Sequence, residues 1–314
     1  MKHYRTRLER EISNLQWRPR RVKIPEEDRL EINALTDAQW NLSPDINNSE
    51  IIQFTTNDRN KRFLSDDVHE WTVAYNNPAQ VSHNYRQLIN DPLRIPTDTK
   101  LQGIYYNYIR IYFKGSDVMK LFKEGAYEND MRQFIRAYTK SGHFSSTLNR
   151  QLAINILYYF GSTVDKTIDY RLVKCLIDFV ALFIYRKELQ PCVFNGTVYR
   201  GALMTKADLS KYIVGSRIMN TSFLSTSKDI QVAEFYSGKD HKKFSVICTY
   251  EIRNINNRRT ALDISSLSQF PHEREVLIIP FSAFHVKSVK RSGNNLQPIE
   301  MTLVEDDLEN IDII

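Results

Sequence analysis

The stretch Phe270-Pro271-His272-Glu273-Arg274-Glu275-Val276-Leu277-Ile278-Ile279 places two carboxylates, one residue apart, at the head of an apolar run that stops at Pro280. The run reads as a strand. On an extended segment residues i and i+2 share a face, so Glu273 and Glu275 can address one bound molecule. Like charges that close resist joint ionisation, which predicts a raised pKa for one of the two. Taken alone, the pair also reads as exposed glutamates at a strand start.

Two upstream segments belong with it. Thr197-Val198-Tyr199-Arg200-Gly201 ends a strand pattern on an arginine. A guanidinium fork suits phosphate, and Gly201 lets a ligand approach the backbone closely. By itself Arg200 also reads as a surface arginine at a strand end. In Thr221-Ser222-Phe223-Leu224-Ser225-Thr226-Ser227 a second apolar strand runs into hydroxyls. Ser227 or Asp229 could cap a helix over Ile230–Tyr236.

Further out, residues 106 to 188 carry helical periodicity. Asp117 stands near the N-cap of a short helix holding Met119, Leu121 and Phe122. Asp130, Met131, Phe134, Ile135 and Tyr138 follow at helical spacing. Ser146 or Thr147 is placed to cap a helix with Leu148, Leu152, Ile156 and Tyr159 on one face. Leu172, Cys175, Leu176, Phe179, Leu182 and Phe183 form one broad core-facing stripe. From 191 onward strands are expected at Thr197–Tyr199, Ser222–Ser225, Phe244–Tyr250, Val276–Pro280, Phe284–Val289 and Ile299–Val304, with short helices at Thr205–Tyr212 and Ile230–Tyr236. Helices first and strands later give an α+β domain.

Residues 1–105 read as a basic arm over 1–30 and a small accessory region, with strands at Glu50–Phe54 and Glu70–Tyr75. The arm holds Lys2, Arg5, Arg7, Arg10, Arg18, Arg20, Arg21, Lys23 and Arg29, and residues 306–314 form an acidic tail. The net charge of +6 permits an acidic partner without requiring one. Cys175, Cys192 and Cys248 are too sparse for a disulfide framework and have no zinc-ligand spacing. The absence of an apolar leader or a membrane-length run points to a soluble, intracellular protein in a reducing compartment. No heptad or large apolar patch is evident, and a monomer is expected.

In order and spacing, 25 residues from Arg200 to Ser225 and 50 from Ser225 to Glu275, the three motifs resemble the Arg–Ser–Glu class of mono-ADP-ribosyltransferases, over roughly residues 106 to 305. Leu148-Asn149 with Leu152 looks like that family's helix before the cleft, and Ala233-Glu234-Phe235-Tyr236 like its aromatic-bearing segment. The resemblance implies a helical N-terminal lobe packed on a two-sheet β core with an NAD cleft, and no metal. It implies that Arg200 holds the pyrophosphate and that Gly201 backbone groups bind the nicotinamide carboxamide. Ser225, with Thr226 and Ser227, would line the cleft, Ser225 orienting Glu275, while Phe235 or Tyr236 stacks on nicotinamide.

Glu275 would bind the ribose 2′-hydroxyl as positive charge develops in a glycoside-type cleavage. A glutamate at 273 goes, in that family, with arginine as acceptor, and Phe270 would pack on the substrate protein. The expected activity is NAD+–protein-arginine mono-ADP-ribosyl transfer. An NAD glycohydrolase, a DNA-modifying enzyme using the basic arm, and a silent binding module are the rival readings.

Overall fold

Apolar spacing of three and four builds a helical lobe first. The computed structural model describes residues 72–75, 99–156, 170–238, 243–255, 259–291 and 297–306, all within the unit Phe63–Ile314. The basic arm, the strand expected at 50–54 and the tail beyond Asp306 lie outside the described residues. Helix α1 (Thr99–Ile104) passes through a widened turn, Tyr105–Ile109, into Arg110–Tyr112. It is followed by α2 (Met119–Glu128), α3 (Met131–Lys140), α4 (Gly142–Gln151) and α5 (Tyr170–Tyr185).

Local chemistry sets their ends. Asp130 caps α3 by accepting from the Arg132 amide at 3.0 Å, the short polar acceptor that a first turn needs. Asn129 ends α2 in the left-handed conformation at φ 58°, which Asn tolerates. Two expected caps differ. Helix α4 starts a turn before Ser146 and Thr147: Ser141 accepts from the Phe144 amide at 3.3 Å, so Phe144 joins the buried stripe of Leu148 and Leu152. Helix α2 starts after Val118 with no side-chain cap, and Asp117 instead lies 4.0 Å from Lys140.

The strands are β1 (Thr72–Tyr75), β2 (Gly196–Met204), β3 (Arg217–Asn220), β4 (Leu224–Ser227), β5 (Phe244–Ile252), β6 (Ala261–Asp263), β7 (Glu275–Ile278), β8 (Ala283–Lys290) and β9 (Ile299–Glu305), with α6 (Lys206–Leu209) and α7 (Ile230–Ser237) between them. Among the described residues they form one mixed nine-stranded sheet in the order β1-β3-β8-β9-β5-β2-β4-β7-β6, in which β5 and β9 run parallel. Strand β2 pairs with β5 along its whole length, yet meets β4 at the single pair Tyr199 and Ser227. The two sheets expected are therefore two limbs of one hydrogen-bonded sheet that part beside Arg200. Arg200 itself lies mid-strand, opposite Cys248, and not at a strand end.

One core lies between the limbs, where Val198, Cys248 and Leu303 meet Leu224, Val276 and Ile278. The other joins the helices to the outer face of β7, through Leu277 and Ile279. Strand β7 is buried on both faces, as its unbroken apolar run requires. Phe122, Phe134, Phe144, Phe179 and Phe183 fill the helical lobe, each fully buried. Each contributes about 1.5–3 kcal/mol by leaving water. Strand β1, inside the stretch 31–105 read as an accessory region, pairs antiparallel with β3, from Thr72–Asn220 to Tyr75–Arg217. That pairing satisfies an edge that would otherwise leave a row of backbone groups open. No helix among the described residues is long and apolar enough to cross a membrane.

Candidate active site

Where the limbs part, sheet register brings the marked residues together. Strand β4 pairs with β7 so that Ser227 lies opposite Glu275 and Ser225 opposite Leu277. Ser225 is thus the diagonal neighbour of Glu275 on one face, a separation that a side chain as long as glutamate spans. Its Oγ donates to Glu275 Oε1 at 2.7 Å. From the other limb, Arg200 Nη1 donates to the Ser225 carbonyl at 2.7 Å. Beyond Tyr199, β4 turns away from β2 and no strand among the described residues takes its place.

Phe223 fixes β4 to the helical lobe. Its ring packs 4.7 Å from Phe183 and 5.5 Å from Tyr138. Its amide donates to Asn149 Oδ1 at 3.1 Å, and its carbonyl accepts from Asn149 Nδ2 at 3.3 Å. Asn149 Nδ2 also donates to Tyr138 Oη at 3.2 Å. One amide side chain on α4 thereby holds the backbone two residues before Ser225.

Glu275 is 5% exposed. Burial pushes its pKa up, opposed by hydrogen bonds from Ser225 and Ser268 and by Arg200, while the Glu273 charge adds to the rise. The raised pKa expected for one carboxylate of the pair falls on Glu275, and desolvation outweighs like-charge repulsion as its cause. The two do not sit on one extended segment, however. Pro271–Glu273 forms a tight helical turn, Arg274 takes the left-handed conformation at φ 49°, and β7 starts only at Glu275. Pro271 supplies the reason: its fixed φ suits the first position of such a turn.

That turn is braced throughout. The Glu273 amide donates to the Phe270 carbonyl at 3.0 Å, the Arg274 amide to Pro271 at 3.1 Å, and the Lys228 amide to Arg274 at 3.2 Å. Lys228 Nζ also pairs with Asp263 at 2.5 Å. Glu273 remains half-buried at the turn, and its Oε1 accepts from Tyr236 Oη at 2.7 Å. That hydrogen bond, then burial and the charges of Glu273 and Glu275, push the Tyr236 pKa up to about 12.

Other expected residues are placed differently. Thr226 and Ser227 are buried, with hydroxyls committed to the Val276 carbonyl and the Glu273 carbonyl, each at 2.6 Å. They brace β7 and the turn. Ser227 Oγ also accepts from the Asp229 amide at 2.9 Å, and Asp229 caps α7 by accepting from Gln231 at 3.0 Å. Gly201 faces α7: a β-carbon there would lie 1.8 Å from the Ala233 carbonyl oxygen. Its missing side chain lets a helix approach. Phe235 and Phe270 are 80% and 42% exposed, so both rings are open to a partner. Among the described residues no group of three or more His, Cys, Asp or Glu is placed to hold a metal ion.

Three residues beyond the Arg200, Ser225 and Glu275 motifs belong with the site, and one of them, Asn149, stands in the helix segment already matched to the family. Tyr138 is fully buried with its pKa raised, by burial first, and it senses the Glu275 charge. Asn149 clamps Phe223. Ser268 Oγ donates to Glu275 Oε2 at 3.2 Å. It stands in Ser265-Ser266-Leu267-Ser268, a loop without periodicity, which gives no local signal of a contact seven residues on.

Residues 125–306, more than half of the chain, match the sequence profile of a family described as NAD:arginine ADP-ribosyltransferase. A curated Mycobacterium avium (strain 104) protein, Mav, described as an NAD(+)–arginine ADP-ribosyltransferase, is 32% identical over 96 residues, 31% of this chain. The chain spans only 10% of that relative's length. Among solved structures, ADP-ribosyltransferase HopU1 of Pseudomonas syringae pv. Tomato DC3000 is similar at 15% identity, over 67% of this chain and 98% of that one, with a TM-score of 0.47. The Vis toxin of Vibrio splendidus, an ADP-ribosyltransferase, is similar at 19% identity, over 73% and 94%, with a TM-score of 0.41.

Proposed function

The chain belongs to the NAD:arginine ADP-ribosyltransferase family, and from that premise we propose that it transfers ADP-ribose from NAD+ to the guanidinium of a protein arginine. The observation that carries the reading is the pairing of two carboxylates in different settings. Glu275 is buried and held by Ser225 at 2.7 Å, and Glu273 stands two residues away on an exposed turn.

The residues present fit NAD+. Arg200 reaches from one limb to the Ser225 carbonyl of the other, and Ser225 in turn holds the buried Glu275 carboxylate. Arg200 would hold the pyrophosphate through its guanidinium fork. Bound there, NAD+ supplies an ADP-ribosyl group on a nicotinamide leaving group. The bond between nicotinamide nitrogen and ribose C1′ breaks with its electron pair going to nicotinamide. A guanidine nitrogen forms the new bond to C1′ and loses a proton, with inversion.

Glu275 would accept a hydrogen bond from the ribose 2′-hydroxyl and stabilise the positive charge that builds on the sugar. The Ser225 hydroxyl keeps that carboxylate from rotating. Glu273 would pair with the incoming guanidinium, a planar fork matched to a carboxylate, and hold it near C1′. The exposed Phe270 ring, at the start of the same turn, would pack on the acceptor protein. Of the two aromatics on α7, Tyr236 is tied to Glu273, which leaves the more exposed Phe235 ring, edge-on to Tyr236, as the better candidate to stack on nicotinamide.

The test is mass spectrometry of agmatine incubated with NAD+ and wild-type, Glu273→Gln or Glu275→Gln protein. Wild type is expected to form ADP-ribosyl-agmatine, Glu273→Gln only to hydrolyse NAD+, and Glu275→Gln to do neither. Nicotinamide release by wild type with agmatine untouched would overturn arginine as acceptor and leave water as the acceptor. No release from NAD+ would overturn the reading altogether.

A further inference from the structure

Glu275 lies in a nearly water-free position, where each oxygen of its ionised form needs a donor. Ser225 serves Oε1 at 2.7 Å, and Ser268 serves Oε2 at 3.2 Å. Ser268 is itself 7% exposed. Its hydroxyl has a second partner, for the Phe270 amide donates to Ser268 Oγ at 3.0 Å. An amide can only donate and an ionised carboxylate can only accept. The Ser268 proton therefore points at Glu275, and its lone pair at Phe270. The Ser268 amide is meanwhile anchored to the Ile264 carbonyl at 2.8 Å, so the hydroxyl has little freedom to leave.

We propose that Ser268 is a positioning residue for the transfer reaction: it fixes the plane of the Glu275 carboxylate and ties that plane to the turn that presents Glu273. The inference rests on the functional reading above. Ser225 reaches Glu275 from the neighbouring strand β4, whereas Ser268 reaches it from the loop that leads into the acceptor turn. Phe270 opens that turn, and its carbonyl accepts from the Glu273 amide. A displacement of the turn on meeting an acceptor protein would thus move the donor on Oε2.

The groups facing Glu275 are Arg200 from β2, Ser225 from β4, Tyr138 from α3, Tyr236 from α7, and Glu273 with Ser268 from the turn and its loop. Among these, Arg200 and the two hydroxyls favour the ionised form, and burial and Glu273 oppose it. Removing one hydroxyl therefore raises the pKa of Glu275 further, and the acid limb of the pH profile moves toward neutrality. A hydrogen bond to a charged group accounts for roughly ten- to hundredfold in an equilibrium, which is about one to two pH units.

The experiment compares wild type with Ser268→Ala, Ser268→Val and Ser268→Thr. Valine and threonine match in shape and differ in the donor. Nicotinamide release from NAD+ is followed against pH, and melting temperature controls for folding. The expected result is an acid limb moved up by about one unit or more in the Ala and Val variants, a kcat lowered about ten- to hundredfold, and near wild-type behaviour in Thr. In parallel, NMR titration of 13C-glutamate-labelled protein, with the Glu275 signal assigned by its loss in Glu275→Gln, reads the same shift without turnover. Val and Thr variants with the same limb and the same Glu275 titration would overturn the proposal. A wild type that releases no nicotinamide would sink the functional reading instead, while the NMR comparison still decides on Ser268.

Discussion

Gly201→Ala is the substitution whose consequence the structure sets most tightly. A β-carbon at Gly201 would lie 1.8 Å from the Ala233 carbonyl oxygen, 2.5 Å from the Ser237 amide nitrogen and 2.8 Å from the Ala233 carbonyl carbon. All three are backbone atoms of α7, so no side chain can swing aside. Real β-carbon contacts essentially never fall below 3.0 Å, so the helix must retreat by at least about 1.2 Å. Forcing extra volume into a packed contact of this kind costs about 1–3 kcal/mol, which is about 2–12 °C of melting temperature in a domain of this size.

The same retreat carries Phe235 and Tyr236 with it. The 2.7 Å hydrogen bond from Tyr236 to Glu273 would stretch past 3.5 Å, beyond useful range. Thermal melts and agmatine transfer measured side by side are the assay. The expected outcome is a lower melting temperature together with a loss of transfer exceeding the loss of NAD+ hydrolysis. A Gly201→Ala protein that melts like wild type but has lost NAD+ turnover would refute the helix-packing argument and restore the reading of Gly201 as a site of close ligand approach.

Two further substitutions separate the roles assigned to the site. Tyr236→Phe keeps the ring and removes the donor to Glu273, so the ratio of agmatine transfer to NAD+ hydrolysis, read by product analysis, is expected to fall about three- to tenfold, as loss of one exposed hydrogen bond allows. Glu275→Gln should be stabilised relative to wild type more at pH 8 than at pH 4. Because the folded-state pKa of Glu275 is raised, the folded chain binds more protons than the unfolded one between the ordinary carboxylate pKa and the raised value. Wild-type stability therefore falls as pH climbs through that window, and glutamine is exempt. Melting both proteins in matched buffers checks this; a difference that is equal at the two pH values, or larger at pH 4, would contradict it.

How much of this was legible in the sequence depends on distance along the chain. Strand patterns that bury one or both faces stood out, because β7 and β5 are apolar runs with no competing signal. The strands at Arg217–Asn220 and Ala261–Asp263 did not. Arg217-Ile218-Met219-Asn220 has no alternation, and buried Asn220 is tolerated only because its Nδ2 donates to the Ser222 and Ile279 carbonyls at 2.7 and 2.9 Å. The second partner is 59 residues away, beyond any local pattern. The apolar stripe of α4 extends back from Leu148 to Phe144, but Gly142 at the first helical position masks Ser141 as its cap. The Phe270-Pro271 step did carry a turn signal, and it outweighed the strand pattern at Glu273.

That turn explains why two adjacent carboxylates need not compete. Had Glu273 continued the strand, it would share the face of Glu275 and be drawn into the same buried position, where a second charge would cost several kcal/mol. Pro271 tightens the chain and Arg274 reverses it through a left-handed conformation that a non-glycine residue enters at a cost of about 1–2 kcal/mol. The strain is held by the Ser227 hydroxyl on the Glu273 carbonyl and the Lys228 amide on the Arg274 carbonyl. Glu275 is thereby committed to the inside, with its two hydroxyl donors, and Glu273 to the rim, with an exposed tyrosine. In the proposed reaction the first setting suits charge that appears only as the bond to nicotinamide breaks, and the second suits a guanidinium that must arrive from solvent. In that proposed division of labour, the strained residue between them would keep bond cleavage and acceptor choice on separate side chains.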